Sequence, residues 1–129
     1  MTIRRPPHRL LLVDRDPRTA KVLGLLLTGD GFDVDVAGDG LAALSSFARV
    51  PLPDALICEV RLGQFDADAV TRLARARRPT LPVFVLTNDA RLIAAALCDP
   101  PPLVFMKPID YPSLLEAVRA ALKQRPSGH

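Results

Sequence analysis

The chain has 129 residues, of which 49% are hydrophobic, 24% charged and 5% aromatic, and its formal net charge is +3. This length and composition exclude disordered and fibrous proteins and predict one globular domain with an aliphatic core. Most of the basic residues are arginines scattered along the chain, and the group at Arg72–Arg78 has no interleaved aromatic residues. We therefore expect a solvated helix face there and no nucleic-acid partner.

The cysteines and the amino terminus indicate where the protein works. Cys58 and Cys98 fit neither a metal-site spacing nor a disulfide framework, and Cys58 lies in an apolar run typical of a reduced core thiol. The basic amino terminus precedes a short apolar run, Leu10–Val13, which is too short for a signal peptide or a membrane span. We expect a cytoplasmic protein. Its predicted parts are a leader at 1–7, one domain at 8–124 and a tail at 125–129.

The first half of the chain predicts two strand–helix pairs. Leu10–Val13 is a continuous apolar run that ends at Asp14, as a strand covered on both faces does. The dipeptide Asp16-Pro17 then supplies a helix cap and a proline at the first helical position. The inward face predicted for this helix consists of Ala20, Leu23, Leu26 and Leu27. A second strand over 32–37 and a second helix over 41–47 follow.

The second half begins with a central strand. The apolar run Ala55–Cys58 is too short for a helix, and it ends in Glu59 shortly before a turn-forming segment with Gly63. This pattern predicts a buried strand that carries the Glu59 carboxylate to the edge of a sheet. The remaining predicted elements are a helix from Asp66 to Pro79, a strand over 81–86, a short helix over 90–97, a strand over 103–106 and a last helix from Asp110.

Five strands alternating with helices predict an α/β fold, with a single doubly wound five-stranded parallel sheet and helices on both faces. In such a sheet, sites form beyond the carboxyl ends of the strands, where the strand order reverses. Four of the five predicted strands end in polar groups that can meet there, namely Asp14 with Arg15, Glu59, Thr87 and Lys107. These residues are the candidate functional site.

The order and spacing of these residues resemble the receiver domain of two-component response regulators, over about His8 to Lys123. That family has an acidic pair after the first strand, a phospho-accepting aspartate after the third, a serine or threonine after the fourth and Lys-Pro after the fifth. The corresponding residues here are Asp14-Arg15, Glu59, Thr87 and Lys107-Pro108. The resemblance implies a flavodoxin-like strand order of 2-1-3-4-5, and a signalling module rather than an enzyme.

The resemblance also implies a chemistry. In the family, an aspartate carboxylate attacks a phosphoryl group while a Mg²⁺ ion held by carboxylates neutralises the developing charge. The lysine and the hydroxyl then receive phosphoryl oxygens, and that contact operates the switch. This sequence has Glu59 at the acceptor position, and its extra methylene moves the carboxylate by roughly 1.5 Å. A displacement of that order can cost about 100-fold in a positioned reaction.

A second departure from the family is Arg15, which stands where the family has its second metal-binding acid. A complete family site is negatively charged, whereas the four charges here, on Asp14, Arg15, Glu59 and Lys107, sum to zero. We therefore expect weak or absent Mg²⁺ binding and no cofactor. The guanidinium of Arg15 is predicted to occupy the space of the metal and to pair with Asp14 or Glu59. Asp16 is assigned to the helix cap and not to a metal.

A third departure concerns the surface that family members use for partners. The family places a switch aromatic three residues before its lysine, which is Val104 here, and Phe105 is expected to face the other side of the strand. The run Pro100–Pro102 replaces the usual approach to the fifth strand, so this surface should be remodelled. Its candidate interaction residues are Leu92, Ile93, Val104 and Phe105.

Three hypotheses remain open. The first is a degenerate, phosphorylation-independent receiver that docks onto a signalling protein, a kinase or an effector. Its Glu59 either imitates a permanently charged acceptor or is locked by Arg15 and Lys107. In the second, the domain still accepts phosphate, on Glu59 or on a displaced acid such as Asp66. In the third, the charged residues form only a structural ion-pair cluster. A homodimer is compatible with all three.

Overall fold

The computed structural model describes residues 6–61, 66–89 and 101–123. Five parallel strands form one sheet in the order β2-β1-β3-β4-β5, which confirms the predicted fold and strand order. The strands are β1 (Arg9–Val13), β2 (Asp33–Ala37), β3 (Ala55–Glu59), β4 (Val83–Thr87) and β5 (Leu103–Met106). The helices are α1 (Pro17–Gly29), α2 (Gly40–Phe47), α3 (Ala67–Arg77) and α4 (Tyr111–Lys123). The helix predicted over 90–97, with Leu92 and Ile93, lies outside the described residues.

Both faces of the sheet are covered by helices. On one face α1 and α4 pack against β1, β3 and β4, and their buried side chains are Leu23, Leu27, Leu114, Val118 and Leu122. On the other face α2 and α3 cover the same strands, chiefly through Ala43, Phe47, Val70 and Ala74. Cys58 is free and buried in this second layer, as predicted for a core thiol, and burial raises its pKa. No helix in the described part of the chain is long and apolar enough to cross a bilayer.

Aspartates begin three of the helices. Asp16 accepts a hydrogen bond from the Arg18 N–H at 3.0 Å, and Asp66 accepts one from the Ala69 N–H at 2.9 Å. Asp39 caps α2 in the same way. The predicted role of Asp16 as a helix cap is therefore confirmed, and Asp66 has the same role at the start of α3.

Two sequence predictions are wrong, one about the buried face of α1 and one about the start of β4. Leu26 is 41% exposed, because the residues of α1 that point straight at the sheet are the neighbouring Leu23 and Leu27. Strand β4 begins at Val83, two residues later than expected. Pro82 has no N–H to donate to a strand neighbour, although its carbonyl accepts a hydrogen bond from the Leu56 N–H.

The arginines at 72–78 form the predicted solvated face only in part, since Arg72 and Arg77 are exposed and Arg75 and Arg78 are partly buried. Arg75 donates to the carbonyl of Leu81 from Nε at 3.2 Å and from Nη2 at 3.1 Å. Arg77 donates to the carbonyl of Phe47 at 2.7 Å. Arg72 is exposed and pairs with an acid one turn away in the same helix. Arginine is long enough to reach carbonyls beyond its own helix, and a helical charge pattern does not record such contacts.

A buried ion pair fastens the start of β3. The Arg78 guanidinium donates to the carbonyl of Pro53 at 2.6 Å and lies 3.1 Å from the Asp54 carboxylate, whose side chain is 4% exposed. The other Asp54 oxygen accepts the N–H of Arg9 at 2.8 Å. This contact joins the end of α3 to the amino ends of β1 and β3.

Candidate functional site

The predicted site residues lie at the carboxyl edge of the sheet, where the strand order reverses around β1. Asp14 follows β1, Glu59 ends β3 and Lys107 follows β5. The Lys107 Nζ lies 3.0 Å from Asp14 Oδ2 and 3.4 Å from Glu59 Oε1. The structure therefore brings two carboxylates together around one ammonium group.

Asp14 is the buried member of this cluster, and its side chain is fully shielded from solvent. Its Oδ1 accepts the N–H of Asp16 at 2.8 Å. Its Oδ2 forms an ion pair with the Lys107 ammonium 3.0 Å away and has no further partner among the described residues. Burial raises the pKa of Asp14, and the neighbouring Glu59 raises it further, against the opposing effects of the Asp16 N–H and of Lys107.

Arg15 contributes its backbone rather than its side chain. Its N–H donates to Glu59 Oε2 at 3.0 Å. Within 6–61, 66–89 and 101–123, the Arg15 guanidinium forms no ion pair with Asp14, Glu59 or any other acid. The predicted pairing of this guanidinium is therefore not observed. Glu59 instead contacts the backbone of Arg15, because its longer side chain carries the carboxylate to the loop that follows β1.

Lys107 joins β5 to the site. Its backbone N–H donates to the carbonyl of Thr87 at 2.7 Å, which fixes the start of the loop after β5. Burial acts to lower the pKa of Lys107, but the carboxylates of Asp14 and Glu59 outweigh it and the pKa lies above its ordinary value. The lysine is therefore charged over the whole physiological pH range.

Thr87 is the last residue of β4, and its side chain is buried. Its hydroxyl donates to the carbonyl of Asp89 at 3.1 Å and accepts the Asp89 N–H at 3.0 Å. These bonds hold the hydroxyl within its own loop. The structure thus places Thr87 at the same edge as Glu59, but with its hydroxyl bound to backbone.

The two candidate interaction residues of β5 face opposite ways, as predicted. Val104 packs against the layer formed by α2 and α3. Phe105 packs in the α1 and α4 layer, where its ring centroid lies 6.3 Å from that of Phe84. Phe105 therefore does not replace an aromatic residue at position 104.

The sequence-based interpretation missed several residues that line the site, among them the polar residues Arg61 and Asn88. A cleft of about 410 Å³ opens above the sheet edge, and its walls include Arg61 and Asn88. The other lining residues are Arg15, Asp16, Glu59, Val60, Leu86 and Thr87. Position offers a signal for finding them, since Arg61 lies two residues after β3 and Asn88 directly follows β4.

Comparisons with known proteins agree with this geometry. The family model for the response regulator receiver domain matches residues 10–119. The transcriptional regulatory protein GlrR of Escherichia coli is 33% identical over 120 residues, which are 92% of this chain and 27% of that protein. The DNA-binding response regulator MtrA of Mycolicibacterium smegmatis is 34% identical over 119 residues, 91% of this chain and 51% of that protein. The chain thus spans between a quarter and about half of these relatives.

Solved structures give the same result. A putative response regulator from Chloroflexus aurantiacus superposes with a TM-score of 0.81 at 34% identity and covers 91% of this chain and 98% of its own. The signal receiver domain of an HD domain-containing protein from Pseudomonas fluorescens has a TM-score of 0.83 at 29% identity, and covers 96% and 92%. The fold, the order of the site residues and the family match together show that this chain belongs to the response regulator receiver domain family.

Proposed function

We propose that this chain is a two-component receiver module that works without being phosphorylated, by docking onto a signalling protein. The observation that carries the proposal is the state of Glu59, which occupies the acceptor position. Its Oε1 lies 3.4 Å from the Lys107 ammonium and its Oε2 accepts the Arg15 N–H at 3.0 Å. We infer that these contacts, together with the extra methylene of Glu59, leave neither oxygen aligned for attack on phosphorus.

The contacts favour a locked site over an imitation of the phosphorylated state. An imitation would bring negative charge to the Thr87 hydroxyl, which receives a phosphoryl oxygen in the family. Here the Thr87 hydroxyl is bound to the backbone of Asp89, and Glu59 is directed towards Lys107 and the loop after β1. We infer that Glu59 holds the inactive arrangement.

The residues present do not fit the Mg²⁺ ion that the family uses, and we propose that the module works without it. No group of three or more histidine, cysteine or acidic side chains that could hold a metal occurs in the described part of the chain. The two carboxylates that remain, Asp14 and Glu59, share the Lys107 ammonium, whose charge opposes that of an added cation. No chemical step is therefore assigned to a metal at this site.

The proposal makes the chain a signalling module, not an enzyme, whose partner is a kinase or an effector protein. Receiver domains interact with such proteins, and the relatives named above are transcriptional and DNA-binding regulators. In bacteria such regulators meet DNA in the cytoplasm, which is where we place this module. The candidate docking residues within the described chain are Val104 and Phe105.

The two alternatives have less support. Asp66, the displaced acid that might accept phosphate, already caps α3 through the Ala69 N–H. A purely structural cluster would lower the pKa of its buried acid and satisfy each of its oxygens. Burial raises the pKa of Asp14 even though its Oδ2 lies 3.0 Å from the Lys107 ammonium, so its position costs stability. Such a cost is typical of sites kept for function.

Incubation with acetyl phosphate and Mg²⁺, followed by intact-mass measurement, tests the proposal. We expect the natural chain to stay unmodified and the variant Arg15→Asp/Glu59→Asp to gain one phosphoryl group. The single variant Glu59→Asp is the matched control, because it restores the nucleophile without the second acid, and it should react far more slowly than the double variant. A phosphoryl group on the natural chain would overturn the proposal, and peptide mapping would then assign it to Glu59 or Asp66.

A further inference from the structure

The mouth of the cleft carries two arginine side chains, Arg15 and Arg61. Both are exposed, and neither guanidinium has an ion-pair partner among the described residues. The segments outside the described ranges contain a single acid, Asp99. As far as residues 6–61, 66–89 and 101–123 are concerned, the two guanidinium groups are therefore open to a ligand from solution.

The acids near the cleft, in contrast, are already engaged. The Asp16 carboxylate accepts the Arg18 N–H at 3.0 Å and the Thr19 hydroxyl at 2.8 Å. Asp14 and Glu59 lie around the Lys107 ammonium, and each also accepts a backbone N–H. The charged groups of the cleft that have no ion-pair partner among the described residues are consequently positive, although the family uses the same edge of the sheet to hold a cation.

We propose that Arg15 and Arg61 form a reversible, metal-independent site for the phosphate dianion, either as the inorganic ion or as a small phosphate monoester. The planar guanidinium donates two parallel hydrogen bonds to phosphate oxygens, and two such groups match a doubly charged anion. The exposed side-chain amide of Asn88 adds a neutral donor on the cleft wall. The volume of about 410 Å³ lies in the range of small-ligand sites. No covalent bond forms, because Glu59 stays bound to Lys107 and to the Arg15 N–H.

This inference rests on the proposed function, since it requires a site without Mg²⁺ and a Glu59 that stays bound to Lys107 and to the Arg15 N–H. It goes further by naming a ligand. A bound dianion would place negative charge beside Thr87 and Asn88 without any transfer reaction. Such binding would link the module to the supply of phosphate or phosphate esters instead of to a phosphorylating kinase.

The test is a ¹⁵N NMR titration of the whole chain in EDTA at constant ionic strength, with inorganic phosphate in one arm and phenyl phosphate in the other. We expect saturable shifts at the backbone amides around Arg15 and Asn88. Loss of one charge-assisted bidentate contact should weaken binding by about tenfold in Arg15→Gln and in Arg61→Gln. Arg15→Lys keeps the charge without the planar fork and should fall between the natural chain and Arg15→Gln.

Arg72→Gln is the matched control, because Arg72 is an exposed arginine on α3 that does not line the cleft, and it should bind as the natural chain does. Tighter binding in the phenyl phosphate arm identifies a monoester as the ligand class, and equal binding identifies the phosphate group alone. The absence of saturable shifts in both arms, or equal weakening by Arg72→Gln, would overturn the inference. Intact mass after acetyl phosphate treatment reports on the proposed function separately, so either can fail without the other.

Discussion

The two ends of the sheet use the same residue types in different ways. At the amino end, the last arginine of α3 and the arginine that follows the helix bind a carbonyl group and a buried acid, as Arg77 does with Phe47 and Arg78 with Asp54. At the carboxyl end, Arg15 and Arg61 line an open cleft without an ion pair to any described acid. Both ends are rich in arginine and aspartate. What distinguishes them is whether the charges already have partners inside the protein.

The acids differ in the same way. Asp54 is buried with both oxygens engaged, by Arg78 and by the Arg9 N–H. Asp14 is buried just as deeply, yet its Oδ2 has no hydrogen-bond partner in the described chain and its pKa is raised, chiefly by burial. We interpret the amino end as a structural fastening and the carboxyl end as a site that is kept at a cost in stability.

The largest effect is expected from Arg78→Ala at the amino end. This change leaves the buried Asp54 carboxylate without its cation and the Pro53 carbonyl without its donor. Removing one partner of a buried ion pair should lower the free energy of unfolding by about 3 kcal/mol. Urea denaturation followed by circular dichroism measures this directly.

Arg72→Ala is the matched control in the same helix, because Arg72 is 71% exposed and pairs with Asp68 at 3.6 Å on the surface. Its cost should be about 0.5 kcal/mol or less. If the free energy of unfolding falls by the same amount in both variants, the contrast between arginines in buried contacts and arginines on the surface is wrong.

A smaller effect of opposite sign is expected from Asp14→Asn. A raised folded pKa means that the contribution of Asp14 to stability is complete below its unfolded pKa of 3.8 and is lost as the pH rises through the folded pKa. Asparagine keeps the uncharged form at every pH. The variant should therefore melt at a higher temperature than the natural chain at pH 7, and this difference should shrink as the pH falls towards 3.8.

Asp16→Asn supplies the opposite pH dependence. Hydrogen bonds from the Thr19 hydroxyl and the Arg18 N–H lower the pKa of Asp16, so its contribution is present above pH 3.8 and is lost as the pH falls through the lowered pKa. Melting temperatures should be measured for both variants from pH 3 to pH 8. At pH 8 Asp14→Asn should melt above the natural chain and Asp16→Asn below it, and both differences should shrink as the pH falls towards 3. An Asp14→Asn variant that is less stable than the natural chain at pH 7 would contradict the assigned cost of Asp14.

The smallest change is expected from Glu59→Gln. The negative charge of the neighbouring Glu59 raises the pKa of Asp14, so its neutral analogue should bring the pKa of Asp14 down. The glutamine oxygen can still accept the Arg15 N–H. A ¹³C NMR titration of the side-chain carboxyl groups measures the shift, and an unchanged or higher pKa of Asp14 would show that the two carboxyl groups do not interact.

Much of the fold follows from local sequence signals. The apolar run Ala55–Cys58 ends at a carboxylate, and the Asp16 cap precedes a proline, so the strand and the helix start are set by adjacent residues. The meeting of Asp14, Glu59 and Lys107 follows from the parallel topology, which puts all strand ends at one edge. These features depend on chain order and period, which a single sequence records.

The features that the sequence did not predict depend on side-chain reach. The sequence does not show whether the side chain of Arg15 or that of Glu59 makes the contact between the ends of β1 and β3. In the structure Glu59 makes it, because its side chain is long enough to accept the Arg15 backbone N–H. The contacts of Arg75 and Arg77 with carbonyls outside their helix were missed for the same reason. A long side chain can contact any of several neighbours in the folded protein, and sequence spacing alone does not show which of these contacts forms.

The most direct test of the proposal that this site works without a metal is a Mg²⁺ titration of the natural chain and of Arg15→Asp/Glu59→Asp, followed by backbone NMR shifts around Asp14 and Lys107. The double variant restores the acids that a divalent ion requires and should bind with saturable shifts. The natural chain should show no saturable shifts at millimolar Mg²⁺. Saturable binding by the natural chain with an affinity equal to that of the double variant would contradict the proposal, because neither the Lys107 ammonium nor the absence of an acid at position 15 would then prevent Mg²⁺ binding.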